Sequence, residues 1–330
     1  MKYDKPALDI PAQISILQQR GLVIHDIEEA ELFLNNVSYF RFAAYLRVFE
    51  NPDHTFRAGS TFENAAALCS FDSELRKLIF GAVQKIEIAL RSRIIHQFSL
   101  AHGPFWFLNP VLAADKLKFS QNLATMEREL ERSKEDFIKE HTAKYGTIDF
   151  PPSWKMLELV SFGCLTKLYF NFSDSKAKKK VCRSFGVHQP EAMESWMKAT
   201  NVLRNWCAHH ARVWNRVMPV MPQNINRTRG KWISDFPRVA NNAYAILSCI
   251  AYWLDSIDPQ NSFVKDIKRL FRKYPSVAPS AMGFKKEIRK FVFLWKSKQI
   301  VNPNKYHIFP QNRQIIGDSC SDFIHRSKAA

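Results

Sequence analysis

The sequence predicts an all-α, multi-helix bundle, and three observations carry that expectation. Only 10 of its 330 residues are glycine, so turns are sparse. Long stretches run without a breaker and repeat their apolar residues every three or four positions, the helical spacing. At 46% hydrophobic and 13% aromatic the chain has enough apolar material for a sizeable core, which excludes a disordered protein.

Elements follow in order. Pro11 near the start and Gly21 past the end bracket a first helix. Asp26 is a candidate cap for a second, Ile27 to Asn35. Residues Val37 to Leu46 space their aromatics like core packing around one cation, Arg41, read either as a structural arginine satisfying carbonyls or as a functional one. Asn51 to Ser60 carries Pro52, Asp53 and Gly59 and marks a plausible boundary. From Asp72 to about Leu100 a long helix is expected, with Leu75, Leu78, Ile79, Ala82, Ile86, Ala89 and Leu90 on its apolar side and Glu87 one turn from Arg91. Gly103-Pro104 ends it. Ala114 to Tyr145 mixes charges as a solvated helix would. Pro151-Pro152 breaks the chain, with Ser153 a candidate cap for a short helix to Leu159. Ser161-Phe162-Gly163 reads as a bend before a helix from Cys164 to Phe172.

A basic run follows: Lys176, Lys178, Lys179, Lys180 and Arg183, either a solvated face or a phosphate contact. Pro190, Glu191 and Glu194 then suit a helix start, and no Gly or Pro intervenes before Pro219. That places Arg204-Asn205-Trp206-Cys207-Ala208-His209-His210 well inside a long helix. Met193, Trp196, Thr200, Leu203, Cys207, Ala211 and Trp214 form its core stripe. Lys198, Asn201, Asn205, His209, Arg212 and Arg216 fall opposite, Arg204 lies at the border, and His210 lies next to the core as a packed support. Beyond come a polar loop with Arg227 and Arg229, an apolar helix Val239 to Ser256, a basic helix with Lys265, Lys268, Arg269, Arg272 and Lys273, and a basic, aromatic segment to Trp295. Residues 301 to 330 read as a weakly packed tail.

A formal charge of +17 implies a polyanionic partner. The apolar run Ala243 to Leu254 is too short to cross a bilayer, and Met1 to Pro6 lacks the apolar region of a secretory signal. Six scattered cysteines with no close pair fit reduced thiols in a cytoplasmic protein and offer neither a zinc site nor a disulfide framework. No cofactor, metal or membrane is expected.

The heptad around Arg204 carries the chemistry. Metal-free RNA cleavage needs a base for the 2′-hydroxyl, donors for the phosphorane and an acid for the 5′-oxygen; imidazole serves as base or acid, and guanidinium grips phosphate. Asn205, one turn before His209, is placed to orient it. One copy is chemically thin, whereas a homodimer would bring two histidines and two arginines to one phosphate. Arg91 and His96 repeat the arginine-histidine spacing, as a second motif or as a supporting basic face. Arg91, Lys178, Lys179, Lys180, Arg212 and Arg216 are the candidate RNA-binding residues. An RNA-binding module that does not cut, and a buried polar network that only fixes helix packing, are the competing readings.

At these same residues the chain resembles the Abi (abortive infection, AbiD/AbiF-like) family and the wider HEPN ribonuclease class. The stretches that carry the resemblance are Arg204-Asn205 through Ala208-His209-His210, then Arg212, Trp214 and Asn215. Matching stretches also include Tyr3 to Pro6, Gln13 with Arg20-Gly21, Ser38 to Arg41, Phe71-Asp72 with Leu75-Arg76, Ile86-Glu87 with Arg91, Trp154 with Glu158, Ser161 to Gly163, and Met282 to Phe284, so it covers about residues 1 to 295. After Phe284 the chain departs, with Lys285-Lys286-Glu287 where the family usually continues with proline and tryptophan. The resemblance implies a HEPN-like helical core, RNA as substrate or regulatory partner, and a role in phage defence or a toxin-antitoxin pair. Carried over, Arg204 and His209 match the catalytic pair, Asn205 the polar neighbour and His210 the second histidine. The expected organisation is an N-terminal helical segment (1–60), the core (61–260), basic C-terminal helices (261–300) and the tail (301–330).

Overall fold

The computed structural model describes residues 6–146, 150–226, 232–233, 236–237 and 242–284. Expectations for Arg227, Arg229, the segment from Lys285 to Trp295 and the tail lie outside the described residues.

Among the described residues the protein is all-α, with twelve α-helices and no strand. The helices are α1 (Ile10–Gln19), α2 (Ile27–Asn36), α3 (Tyr39–Leu46), α4 (Phe62–His102), α5 (Lys116–Arg132), α6 (Asp136–Tyr145), α7 (Ser153–Leu159), α8 (Phe162–Asn171), α9 (Ser175–Ser184), α10 (Pro190–Ala208), α11 (Ala243–Ile257) and α12 (Phe263–Lys273). Short polar residues set many of the starts. Asp9, Asp26, Ser38, Thr61, Asp115, Ser161 and Asp174 each accept an amide hydrogen from the first turn that follows them.

The axis of the bundle is α4, whose 41 residues span about 60 Å at 1.5 Å per residue. Around it pack α3, α7, α8, α9, α10, α11 and α12. The helix begins ten residues before the expected Asp72, capped by Thr61, and Asp72 is buried in its interior. Local preference favours Asp72 as a cap, but the run Phe62 to Phe71 has no breaker and buries Phe62, Ala65, Leu68 and Phe71 on the same side as Leu75 and Ile79.

Two other expectations change. The charged stretch before Tyr145 is two helices, interrupted at Ser133–Glu135. Ser153 is the first residue of α7, not its cap; its buried hydroxyl meets that of Ser99 at 2.9 Å and its amide donates to the Pro104 carbonyl.

Every residue of α11 from Ala243 to Leu254 is buried, which is what an all-round apolar helix requires in water. No helix among the described residues is long and apolar enough to cross a membrane. Amphipathic α12 buries Phe263, Ile267, Leu270 and Phe271, and is tied to α4 where Lys273 and Tyr274 both meet Glu74, at 2.6 and 2.7 Å. Five cysteines, Cys69, Cys164, Cys182, Cys207 and Cys249, are buried free thiols.

Candidate functional site

The heptad does not lie well inside a helix: α10 stops at Ala208. His210 takes the left-handed conformation, φ 54°, its amide donates to the Cys207 carbonyl (3.2 Å), and the Ala211 amide donates to the Trp206 carbonyl (2.8 Å). These two crossed bonds are a Schellman stop, normally built on glycine. Here a histidine holds the glycine position. The helical faces assigned beyond Ala208 therefore do not exist, and His210 is as exposed as His209 instead of being packed against the core.

The chain after the stop is captured by earlier parts of the fold. Arg41, in α3, donates to the His210 carbonyl. Arg212 donates to the Ala44 carbonyl at 3.0 Å. The amides of Val213 and Trp214 would bond carbonyls four residues back if α10 continued. They point instead at the carboxylate of Asp72, at 3.1 and 2.6 Å. Tyr45 donates to the same group at 2.7 Å, and Arg76 both pairs with it and donates to the Tyr45 hydroxyl. Burial pushes the Asp72 pKa up, against the pull of Arg76, Tyr45 and the two amides. All of its partners are donors, so the pocket is shaped for the ionised form.

Arg204 is half-buried on α10. Its guanidinium makes one bond, 3.5 Å to the Asn205 side-chain oxygen, and lies 5.9 Å from the centre of the Phe80 ring. Its Nε is buried without a partner, and no carboxylate pairs with it among the described residues. Asn205 accepts the His209 amide on its main-chain carbonyl at 2.9 Å. Both histidines are exposed, and no side-chain hydrogen bond holds either imidazole among the described residues. Arg216 stacks on Trp206 at 3.7 Å and donates to the Arg212 carbonyl; burial, then the charge of Arg212, holds its pKa below the usual arginine value. Cys207 is no nucleophile here: burial, then Asp72, pushes its thiol up to about 12.

Other expected contacts lie elsewhere. Arg91 turns into the seam between α4 and α7, bound to Glu87 (3.1 Å), Glu158 (3.4 Å) and the Val160 carbonyl (2.9 Å), while His96 is exposed. The two do not converge. Lys178 is buried against Glu194 at 2.8 Å and the Phe170 carbonyl at 3.2 Å, which fastens α9 to the beginning of α10. Lys179 and Lys180 stay exposed. Glu194 precedes His209 by fifteen residues, so α9 meets α10 about 22 Å along its axis from the histidines.

Sequence reasoning missed Asp72, Arg76 and Tyr45 as organisers of the site. The signal was present: Leu68, Asp72, Leu75 and Ile79 share one helical stripe, and a carboxylate in an apolar stripe requires buried donors. Arg41, read as structural or functional, is structural, and the carbonyl it satisfies belongs to His210 itself.

Among the described residues no group of three or more His, Cys, Asp or Glu is arranged to hold a metal ion. Comparison with curated proteins and with solved structures returns no match. A family model described as Abi-like protein matches residues 32–215. That span is more than half of the chain and takes in Arg41, Asp72, Arg76, α10 and the captured turn as far as Asn215. The chain belongs to the Abi-like protein family, which ties it to abortive infection, the phage-defence response in which infected cells stop growing.

Proposed function

We propose that this protein is a metal-independent endoribonuclease of an abortive-infection or toxin-antitoxin system. One observation carries the reading: a half-buried guanidinium without a carboxylate partner, Arg204, precedes by five residues a rigid turn that presents two solvent-facing imidazoles.

The chemistry suits that arrangement. Arg204 is left with donors to spend on a non-bridging phosphate oxygen. His209 takes the 2′-hydroxyl proton, the 2′-oxygen attacks the adjacent phosphorus, and the 5′-oxygen leaves with a proton from a second imidazole. The products are a 2′,3′-cyclic phosphate and a 5′-hydroxyl. The second imidazole is His210 of the same chain, a role its exposure supports, or a histidine of a second copy across a homodimer. Arg212 and Arg216 add fixed positive charge beside the turn, and Lys179 and Lys180 add exposed charge on α9, which meets α10 near its other end.

The test is incubation of the purified protein with RNA in EDTA, beside His209→Ala and Arg204→Ala. Cyclic-phosphate ends formed by the parent and lost in both variants support the enzyme. Tight, salt-sensitive binding of RNA that stays intact supports a binding module in its place. Unaltered RNA, no binding and a lowered melting temperature in both variants would leave only a structural role for the motif.

A further inference from the structure

The helix that anchors the histidine turn, α3, carries four aromatic residues, and three are used inside the protein. Phe42 and Tyr45 are in the core, and Tyr39 is half-buried with its hydroxyl 3.5 Å from Arg20. Phe40 is 89% exposed, the highest value of any large apolar side chain in the described structure. Single exposed apolar residues are ordinary. This one is unusual in what it adjoins: its neighbour Arg41 is the residue that grips the His210 carbonyl. Phe40 also lies one helical turn before Ala44, whose carbonyl holds Arg212, so it shares the side of α3 that meets the segment after the histidines.

We propose that Phe40 is a stacking platform for an unpaired nucleobase, which makes single-stranded RNA the substrate class of the site. This rests on the ribonuclease reading above. An aromatic face gives sequence-tolerant stacking, and only a base free of its own helix can lie on it. The surrounding charge favours RNA over a second protein surface. Arg41, Arg204, Arg212 and Arg216 spend their bonds on carbonyls, an amide oxygen and an aromatic ring, and none pairs with a carboxylate among the described residues. A polyanion compensates that charge, and a second copy brought to this face repeats it unless a polyanion lies between the two. Because α3 is fixed through Phe42, Tyr45 and the Arg41 contact, the ring is offered on a rigid element, and stacking does not require the site to rearrange.

The experiment uses the full chain in a His209→Ala background, so that RNA survives, with Phe40→Ala and Phe40→Trp added. The probes are a short unpaired oligoribonucleotide carrying 2-aminopurine and a duplex of the same length. Phe40→Ala is expected to weaken binding of the unpaired probe about tenfold or more and to abolish part of its fluorescence quenching, while duplex affinity stays unchanged. Phe40→Trp is expected to retain both. Since the ring contacts solvent, the melting temperature should not move. Unpaired-probe affinity that ignores Phe40→Ala, or falls no further than duplex affinity does, overturns the stacking role while leaving the ribonuclease reading intact. So does a change from dimer to monomer on sizing, which would assign the ring to self-association. A parent protein that neither binds nor cuts RNA brings down both.

Discussion

The carboxylate of Asp72 holds the amide of Trp214 at 2.6 Å, joining the longest helix to the segment that follows the paired histidines. With the Val213 amide, Tyr45 and Arg76 on the same group, one buried side chain decides where the chain goes after α10. Asp72→Asn keeps the shape but puts donors among donors and leaves the Arg76 charge uncompensated. Breaking a buried pair in this way costs about 3–5 kcal/mol. Urea unfolding should show that loss, and any RNA cleavage should fall with it even at temperatures where the variant is folded. A variant within about 1 kcal/mol of the parent, on the order of an ordinary surface change, would mean the network does not hold the turn.

His210 offers a cleaner separation of fold from chemistry. At φ 54° it occupies the position in the helix stop where glycine is at ease, and a side chain there costs about 1–2 kcal/mol. His210→Gly removes the imidazole and that strain together. We expect its stability to match or exceed the parent's, and His210→Ala to be the less stable of the two by about 1 kcal/mol. If RNA cleavage drops in both variants alike, the imidazole is responsible. Full activity in both removes His210 from the chemistry and leaves the second proton transfer to another copy.

Much of this arrangement is readable from the sequence, and what is not has definite causes. The cap at Asp26, the stop at Gly103-Pro104 and the buried α11 follow from residue chemistry over a few positions, and they stand where expected, whereas Ser161-Phe162-Gly163, read as a bend, is the cap and first turn of α8. The end of α10 has no such local mark. No Gly or Pro lies near Ala208, so the stop is imposed by Arg41 and Asp72, residues 169 and 141 positions away from the groups they hold. Asp72 misleads for the same reason: its donors come largely from α3 and from beyond α10, and no window around it contains them. The arginine-histidine pair is legible as a spacing, but its orientation is not, because Arg204 sits in the helix while His209 and His210 sit on its unwinding end.

Asp174 provides a pH test. Burial alone would raise its pKa, but hydrogen bonds from His102 (2.7 Å) and from the amides of Ala177 and Lys176 outweigh it and hold the carboxyl below its usual value. A carboxyl depressed in the folded state stabilises fully above its unfolded pKa, about 3.9, and that contribution disappears as pH falls through the folded value. Asp174→Asn keeps a capping oxygen for α9 and removes the charge. The variant should be less stable than the parent at about pH 6–7, with the difference closing in acid. A gap of constant size across that range would assign the effect to capping geometry rather than to ionisation.

Lys179 and Lys180 test how far along the molecule RNA is held. Lys178 is consumed by Glu194, which fixes α9 at the far end of α10 and turns the next two lysines outward, about 22 Å from the histidines by helix rise. A strand running from the turn towards α9 would place later phosphates against them. Removing both charges touches no packed atom and no catalytic group. The double substitution Lys179→Ala, Lys180→Ala should leave the melting temperature and the position of cleavage unchanged. It should lower the slope of log affinity against log salt by about 0.7 for each phosphate that is no longer neutralised. Retention of the parent's slope would confine bound RNA to the neighbourhood of Arg204 and the histidine turn. In that case the basic face of α9 is a solvated surface, and the polyanion suggested by the net charge is gripped at one end of α10 alone.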